Sequence, residues 1–258
     1  MNKQNRNKLN QTLAQWPTNG LRTAASLRAQ GISNALLHHY VQRNWLKQVE
    51  RGVYRRPNDA PDWTAALHLL QQEEKIPVHP GGLTAFELQG YGHYLGNRPL
   101  FLYAPSRTRL PAWFVRTVKH KIHFCPTNFL ESAPTHSLQN VTVQGVNITI
   151  SMPERAALEL LYHVPRKFGF SEPQELIEGL ATLRVELMQE LLENCSSIKV
   201  KRLFLYYARE AGHSWYPALN RSTINLGSGK RELVKGGKLD KEFLLTVTTS
   251  FHPPEIPF

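Results

Sequence analysis

Cysteine is nearly missing from this 258-residue chain: Cys125 and Cys195 lie 70 residues apart and in no C-x-x-C spacing. That excludes a disulfide-stapled scaffold and a thiolate zinc module, and points to two free thiols in a reducing compartment. Long apolar runs are missing too. No segment approaches the roughly 18 apolar residues of a spanning helix, and MNKQNRNKLNQTL at the start carries no apolar core of a secretory signal. The expectation is a cytoplasmic protein with no membrane partner. Internal repeats and low-complexity segments are absent. So is the G-x-S-x-G elbow of a serine hydrolase.

Acidic residues are scarce at one end. Lys plus Arg number 31 against 20 Asp plus Glu, a net charge of +11. Up to Ala60 there are ten basic residues (Lys3, Arg6, Lys8, Arg22, Arg28, Arg43, Lys47, Arg51, Arg55, Arg56) and only two acids, Glu50 and Asp59. That is +8 in under a quarter of the chain. So concentrated a positive field favours partners that carry phosphate.

The same region has a local pattern. Residues 4–15 are polar with Leu9 and Leu13 four apart, a first helix that Pro17 stops. In LRTAASLRAQG, Thr23 is an N-cap candidate, Ala24, Ala25 and Leu27 are small apolar contacts, and Gly31 is the break. Ser33 then caps a second helix running to about Asn44. Two short helices joined by a Gly-containing turn form a helix-turn-helix pattern. Leu46–Val49 and Val53–Arg56 alternate on either side of Glu50-Arg51-Gly52, so a β-hairpin, the wing, follows directly. Pro57-Asn58-Asp59-Ala60-Pro61 marks a boundary. The expected fold class is α+β: a winged helix-turn-helix over residues 1–60, then a larger mixed α+β domain over 61–258.

At about 100° per residue, Ser33, Leu36, Leu37, Tyr40 and Val41 share the inward side of the second helix, and Ala35, His38, His39 and Gln42 the outward side. The outward face holds no acid. Gln pairs with adenine, Ala meets a thymine methyl and His donates to purine acceptors, which suits a helix in the major groove. Asn34, Ala35, His38, His39 and Gln42 are therefore the expected base readers. Thr23, Ser33, Arg43, Lys47, Arg51, Arg55 and Arg56 are the expected phosphate or wing contacts.

In the second region, helices are expected over about Asp62–Glu74, from Thr84 to a break at Gly90 and Gly92, and over PERAALELLYHV. Leu176, Leu180, Leu183, Leu187 and Leu191 read as one further helix, and Val200, Leu203, Phe204 and Tyr207 as another. PLFLYA and KIHFC are buried-strand candidates, residues 141–150 a second hairpin, and the tail from Ser222 returns to strands ending in Phe243–Thr248.

Three chemical motifs fail. LGSGK at 226–230 has Ile224 and Arg231 where a phosphate loop needs Gly and Ser or Thr, so a basic turn is expected. Asp62 with Glu73, Glu74 and Lys75 imitates a nuclease triad, but both ends belong to one helix about three turns long, too far apart for one Mg²⁺. His120 and His123 lack a third metal ligand. No catalytic residue, metal or cofactor is expected, and hence no enzyme. The stretch of leucines at 176–191 reads as core before it reads as a dimer seam.

Five segments resemble the AbiEi family, antitoxins of type IV toxin–antitoxin systems that also regulate their own operon. They are GISNALLHHYVQRNWLKQVERGVYRR, HPGGLTAFELQGYGHYL, ISMPERAALELL, KVKRLFLYYAREAGHSWY and INLGSGKRELVKGGKLDKEFLLTV, in family order. The resemblance implies a winged-helix domain on double-stranded operator DNA; by symmetry, an inverted-repeat operator would favour two copies. It also implies an antitoxin domain and a cognate nucleotidyltransferase toxin encoded alongside, without implying a stable complex with it. It makes GSGKR a recurrent turn before the last strands, with either a structural role or, through Lys230, Arg231 and Lys235, that of a secondary basic surface. Two other readings remain open: a regulator whose C-terminal domain senses a small molecule, and a nuclease with an appended DNA-binding domain.

Overall fold

The computed structural model describes residues 10–91 and 98–247. Residues 4–9 of the expected first helix, the Gly92 end of the expected break and Thr248 lie outside them. The chain divides into two compact units. One comprises Met1–His79, Gly96–Pro126 and Asn140–Ile150, the other Pro80–Leu95, Thr127–Gln139 and Ser151–Phe258.

The first unit opens with helix α1 through residues 10–14. Strand β1 (Arg22–Thr23), helices α2 (Ala24–Ala29) and α3 (Asn34–Gln42), and strands β2 (Lys47–Glu50) and β3 (Val53–Arg55) follow. The strands form one antiparallel sheet in the order β1-β3-β2, with Arg22 opposite Tyr54 and Lys47 opposite Arg55. This is a winged helix-turn-helix.

Each helix boundary has a local cause. Thr23 Oγ1 accepts the Ser26 amide at 3.0 Å and Ser33 Oγ the Leu36 amide at 3.3 Å, so each helix begins on a hydroxyl cap. Both helices end in the same motif. After α2, Gly31 takes φ +82°, its amide reaches Arg28 O, and the Ile32 amide reaches Leu27 O. After α3, Asn44 takes φ +56°, its amide reaches Val41 O, and the Trp45 amide reaches Tyr40 O. In both, the residue after the left-handed one is apolar: Ile32 and Trp45 fold back onto the last turn. Trp16, Leu27, Ile32, Leu37, Tyr40 and Leu46 close into one core, with Leu36 and Val41 packed at its edge.

Beyond the wing come α4 (Trp63–Gln72), β4 (His79–Pro80), α5 (Gly82–Leu88), β5 (Leu100–Ala104), α6 (Ala112–Thr117) and β6 (Ile122–Pro126). Hairpin β7 (Leu138–Val143) and β8 (Val146–Ser151) turns at Gln144 and Gly145, both with positive φ. Strands β5 and β6 are parallel, Leu100 opposite Ile122, with α6 as their crossover, and the strand order is β4-β5-β6. Within the first unit, the Gln71 side chain holds both main-chain groups of Thr149 at 2.8 Å.

The second unit is mainly helical: α5, α7 (Pro153–Tyr162), α8 (Ser171–Glu178), α9 (Val185–Asn194) and α10 (Ile198–Glu210). Its small sheet of β9 (Arg231–Glu232), β10 (Lys238–Asp240) and β11 (Leu245–Val247) has the order β10-β11-β9. The single leucine-rich helix expected over 176–191 is two. Helix α8 caps at Gly179, and α9 begins only after Arg184, whose amide and guanidinium are held by the buried carboxylate of Glu154 at 2.9–3.2 Å. Leu176 and Leu187 point inward from different helices, and Leu183 lies between them. Leu176, Leu180, Leu187 and Leu191 are all buried, which makes them core and not a dimer seam.

Candidate nucleic-acid interface

Helix α3 divides as its sequence implies except at Ser33, expected on the inward side but exposed, because it is the N-cap and precedes the first helical residue. Leu37 and Tyr40 are buried, while Asn34, Ala35, His38, Gln42 and Arg43 are exposed. His39 is half-buried, its ring edge-on to the Trp45 indole at 5.9 Å and tilted on Tyr40 at 6.3 Å, so it packs along the rim of the face. Ser33 is exposed at the N-terminal end with its oxygen lone pair used in capping. Its hydroxyl proton remains available to an acceptor.

The fold brings a further residue here that the helical pattern does not single out. Arg28 Nη1, in the last turn of α2, donates to Asn34 Oδ1 at 3.1 Å. This contact sets the orientation of the Asn34 amide and places a cation at the start of α3. Its only signal in the sequence is a six-residue spacing across the turn.

The wing separates into free and committed cations. Lys47, Gln48 and Arg51 are exposed, Arg51 beside Gly52, whose φ of +78° makes the tight turn. Arg55 and Arg56 are half-buried and occupied. Arg55 Nη1 donates to the carbonyls of Arg56 (3.2 Å), Pro57 (2.9 Å) and Asp59, and Arg56 Nε pairs with Asp59 Oδ2 at 2.8 Å. Together they fold the Pro57–Pro61 segment. Thr23 is occupied too: its amide and hydroxyl both donate to Glu73 Oε2, at 2.8 and 2.9 Å, and Arg22 pairs with Glu73 Oε1 at 2.9 Å. So Asn34, Ala35, His38, Gln42, Arg43, Lys47 and Arg51 keep exposed side chains, whereas Thr23, Arg55 and Arg56 spend theirs on the fold.

The one acid in the wing is neutralised. Both oxygens of Glu50 accept from Arg116 of α6 at 3.0 Å, in the parallel two-bond geometry that guanidinium and carboxylate favour. The Arg116 hydrogen bonds hold the Glu50 carboxyl below its ordinary pKa. Helix α6 packs against β2 and α4. It sits in a stretch with no Asp or Glu between Glu87 and Glu131, in which Arg107, Arg109, Lys119 and Lys121 are exposed. That acid-free run is visible in the sequence. Its relation to the wing is not, because α6 is over 60 residues further along the chain.

The rejected motifs have structural roles. Asp62 caps α4 through the Thr64 and Ala65 amides, and Glu73 at the other end holds Arg22 and Thr23. His123 lies tilted against Phe101 at 4.9 Å, and His120 stands edge-on to Trp63. Among the described residues, no three His, Cys, Asp or Glu side chains come together as a metal site. No helix among them is long and apolar enough to cross a membrane. Both cysteines are free thiols and buried. Lys230, Arg231 and Lys235 are exposed in the second unit, around β9.

A winged helix joined to an α+β second part is an architecture used by transcriptional regulators, and sequence comparison gives the family. Residues 5–97 match the model described as transcriptional regulator, AbiEi antitoxin N-terminal domain, and residues 97–248 match that of transcriptional regulator, AbiEi antitoxin, type IV toxin–antitoxin system. The chain belongs to the AbiEi family of type IV toxin–antitoxin antitoxins. Its fold is similar to the crystal structure of the RV2827C protein from Mycobacterium tuberculosis, with a TM-score of 0.62 at 14% identity over 88% of this chain and 86% of that one. No curated protein matches it.

Proposed function

We propose that this antitoxin is an autorepressor that reads the double-stranded operator of its own operon, and that it counteracts a nucleotidyltransferase-type toxin encoded in the same operon. It acts by binding and not by catalysis. The observation that carries the DNA half is the exposed, acid-free face of α3 beside the free cations of the wing. Asn34, Ala35, His38 and Gln42 are the proposed base readers, with His39 at the rim. Ser33, Arg43, Lys47 and Arg51 are the proposed phosphate contacts, and Arg28 adds to them. Residues 1–60 are the proposed reading module and 61–258 the antitoxin part. The exposed cations around α6 extend the positive field beside the wing. Thr23, Arg55 and Arg56 support the module from behind, through the bonds that occupy them. An inverted-repeat operator would take two copies.

The test is binding to the DNA upstream of the operon against scrambled DNA of equal length, over a series of salt concentrations. Tight, sequence-dependent binding with a steep salt slope supports the reading. Equal affinity for both duplexes would leave only a basic module, and no binding would remove α3 from the groove. Growth of cells carrying the neighbouring gene, with and without this chain, tests the antitoxin half.

A further inference from the structure

The turn Leu226-Gly227-Ser228-Gly229-Lys230-Arg231 fails as a phosphate loop by sequence, and it leads into strand β9 where such a loop would lead into a helix. Its geometry nonetheless has an organised polarity. Beneath it lies Arg202 of α10, 1% exposed, whose guanidinium bonds only to main-chain carbonyls among the described residues. Nε donates to Leu226 O at 2.9 Å, Nη2 to Gly227 O at 3.2 Å, and Nη1 to Gly229 O at 2.7 Å and Leu244 O at 3.2 Å. A buried cation without a carboxylate is costly, and these four carbonyl dipoles are what offset it.

Those bonds dictate where the amides go. In a trans peptide the N–H points away from the C=O of the same plane. With the Gly227 and Gly229 carbonyls turned down onto Arg202, the Ser228 and Lys230 amides must point outward. Backbone φ alternates in sign along the turn, +63° at Gly227 and +74° at Gly229 with Ser228 outside the left-handed region. Alternation of this kind curls successive amides into a concavity that accepts anions. The Gly227 amide is taken by Asn225 Oδ1 at 2.9 Å and the Arg231 amide by Leu244 O at 2.8 Å. Among the described residues, nothing accepts from the amides of Ser228, Gly229 or Lys230, and all three residues are exposed.

The charges agree. Lys230 and Arg231 are exposed at the rim, and Arg231 lies near enough to Arg202 to help lower its pKa, after burial. Of the acids nearby, Asp240 is bound by Arg209, and Glu242 by Arg209 and Arg221. Glu232, exposed next to the turn, has no such cation bound to it among the described residues.

We propose that this turn is a phosphoryl-binding site, which takes inorganic phosphate or the terminal phosphate of a nucleotide on the Ser228 and Lys230 amides, with the Lys230 and Arg231 side chains closing over it. Two or three converging amides match one tetrahedral group, a smaller object than a duplex. The site is independent of the DNA-binding reading.

The experiment is a titration of the ¹⁵N-labelled full chain, followed by amide resonances, with inorganic phosphate, ATP or GTP, and a duplex, each against sodium chloride of equal ionic strength. Saturable movement of the Ser228, Gly229 and Lys230 amides with phosphate supports the site as one for the free ion. Movement with nucleotide alone supports a terminal phosphate. Ser228→Pro removes an amide donor without changing charge, and Lys230→Ala removes a cation. Each should weaken binding by about tenfold, the rest of the spectrum confirming the fold. Equal movement with chloride, movement with the duplex alone, no movement, or full affinity in Ser228→Pro would overturn the proposal. None of these readouts depends on α3.

Discussion

Arg116 holds Glu50 through two hydrogen bonds of 3.0 Å, so a residue of the β5–α6–β6 segment cancels the only acid of the wing. Both side chains are in contact with solvent, and the pair adds little to stability. Its effect is on the field that an approaching phosphate meets. Arg116→Ala should weaken DNA binding by roughly three- to tenfold at low salt and less at high salt, because it removes a cation and unmasks an anion together. Adding Glu50→Gln should recover part of that affinity. If the double variant binds no better than Arg116→Ala, the ion pair is not the reason.

The wing cations should separate into two classes. Lys47→Ala and Arg51→Ala should each flatten the salt dependence by up to about 0.9 log unit for every phosphate no longer neutralised, with little change in melting temperature. Arg55→Ala should leave the slope in place and lower thermal stability, by about 1–3 kcal/mol, because the carbonyls of Arg56, Pro57 and Asp59 would be without their charged donor. Titrations at four salt concentrations alongside thermal melts distinguish the two behaviours.

For base reading, Gln42→Ala and His38→Ala should relax preference at one base pair each, by roughly 1–3 kcal/mol of discrimination. A uniform drop in affinity across all operator variants would mean that α3 touches only the backbone.

Asn44 ends α3 at φ +56°, where Asn is tolerated and a Cβ-bearing residue without a short polar side chain is strained. Asn44→Ala should cost about 1–2 kcal/mol of unfolding free energy, and Asn44→Gly should be near neutral. Chemical denaturation of both variants checks it. Equal destabilisation would place the importance of Asn44 in its side chain and not in its backbone conformation.

Burial pushes the Cys195 thiol up to about 11. At pH 8 about one molecule in a thousand carries the thiolate. Thiol reagents should therefore label the native protein slowly at both buried cysteines, and quickly once denaturant unfolds it. Fast stoichiometric labelling of the native chain would contradict the burial.

The winged helix was legible because its information is local. Hydroxyls at Thr23 and Ser33, left-handed positions at Gly31 and Asn44, and alternation around Gly52 act over a few residues each. The same local logic failed at 176–191. Leucines at three- and four-residue steps run smoothly on paper through Gly179 and Arg184, but the chain there turns so that Arg184 can meet Glu154, 30 residues earlier. Periodicity reports which residues prefer the inside. It does not report that two different helices share the task.

The candidate interface divides along the same line. Composition and helical spacing by themselves determined that the N-terminal end is basic, that α3 has an acid-free outward face, and that a hairpin follows it. Only the tertiary structure decided which cations are free. Thr23 is turned to Glu73, Arg55 to the linker carbonyls and Arg56 to Asp59, while Arg116 arrives from a distant helix to neutralise Glu50. The physical reason is reach: helix caps and amphipathic faces are satisfied within one or two turns of chain, whereas a guanidinium is satisfied by whichever acceptor folding carries to it.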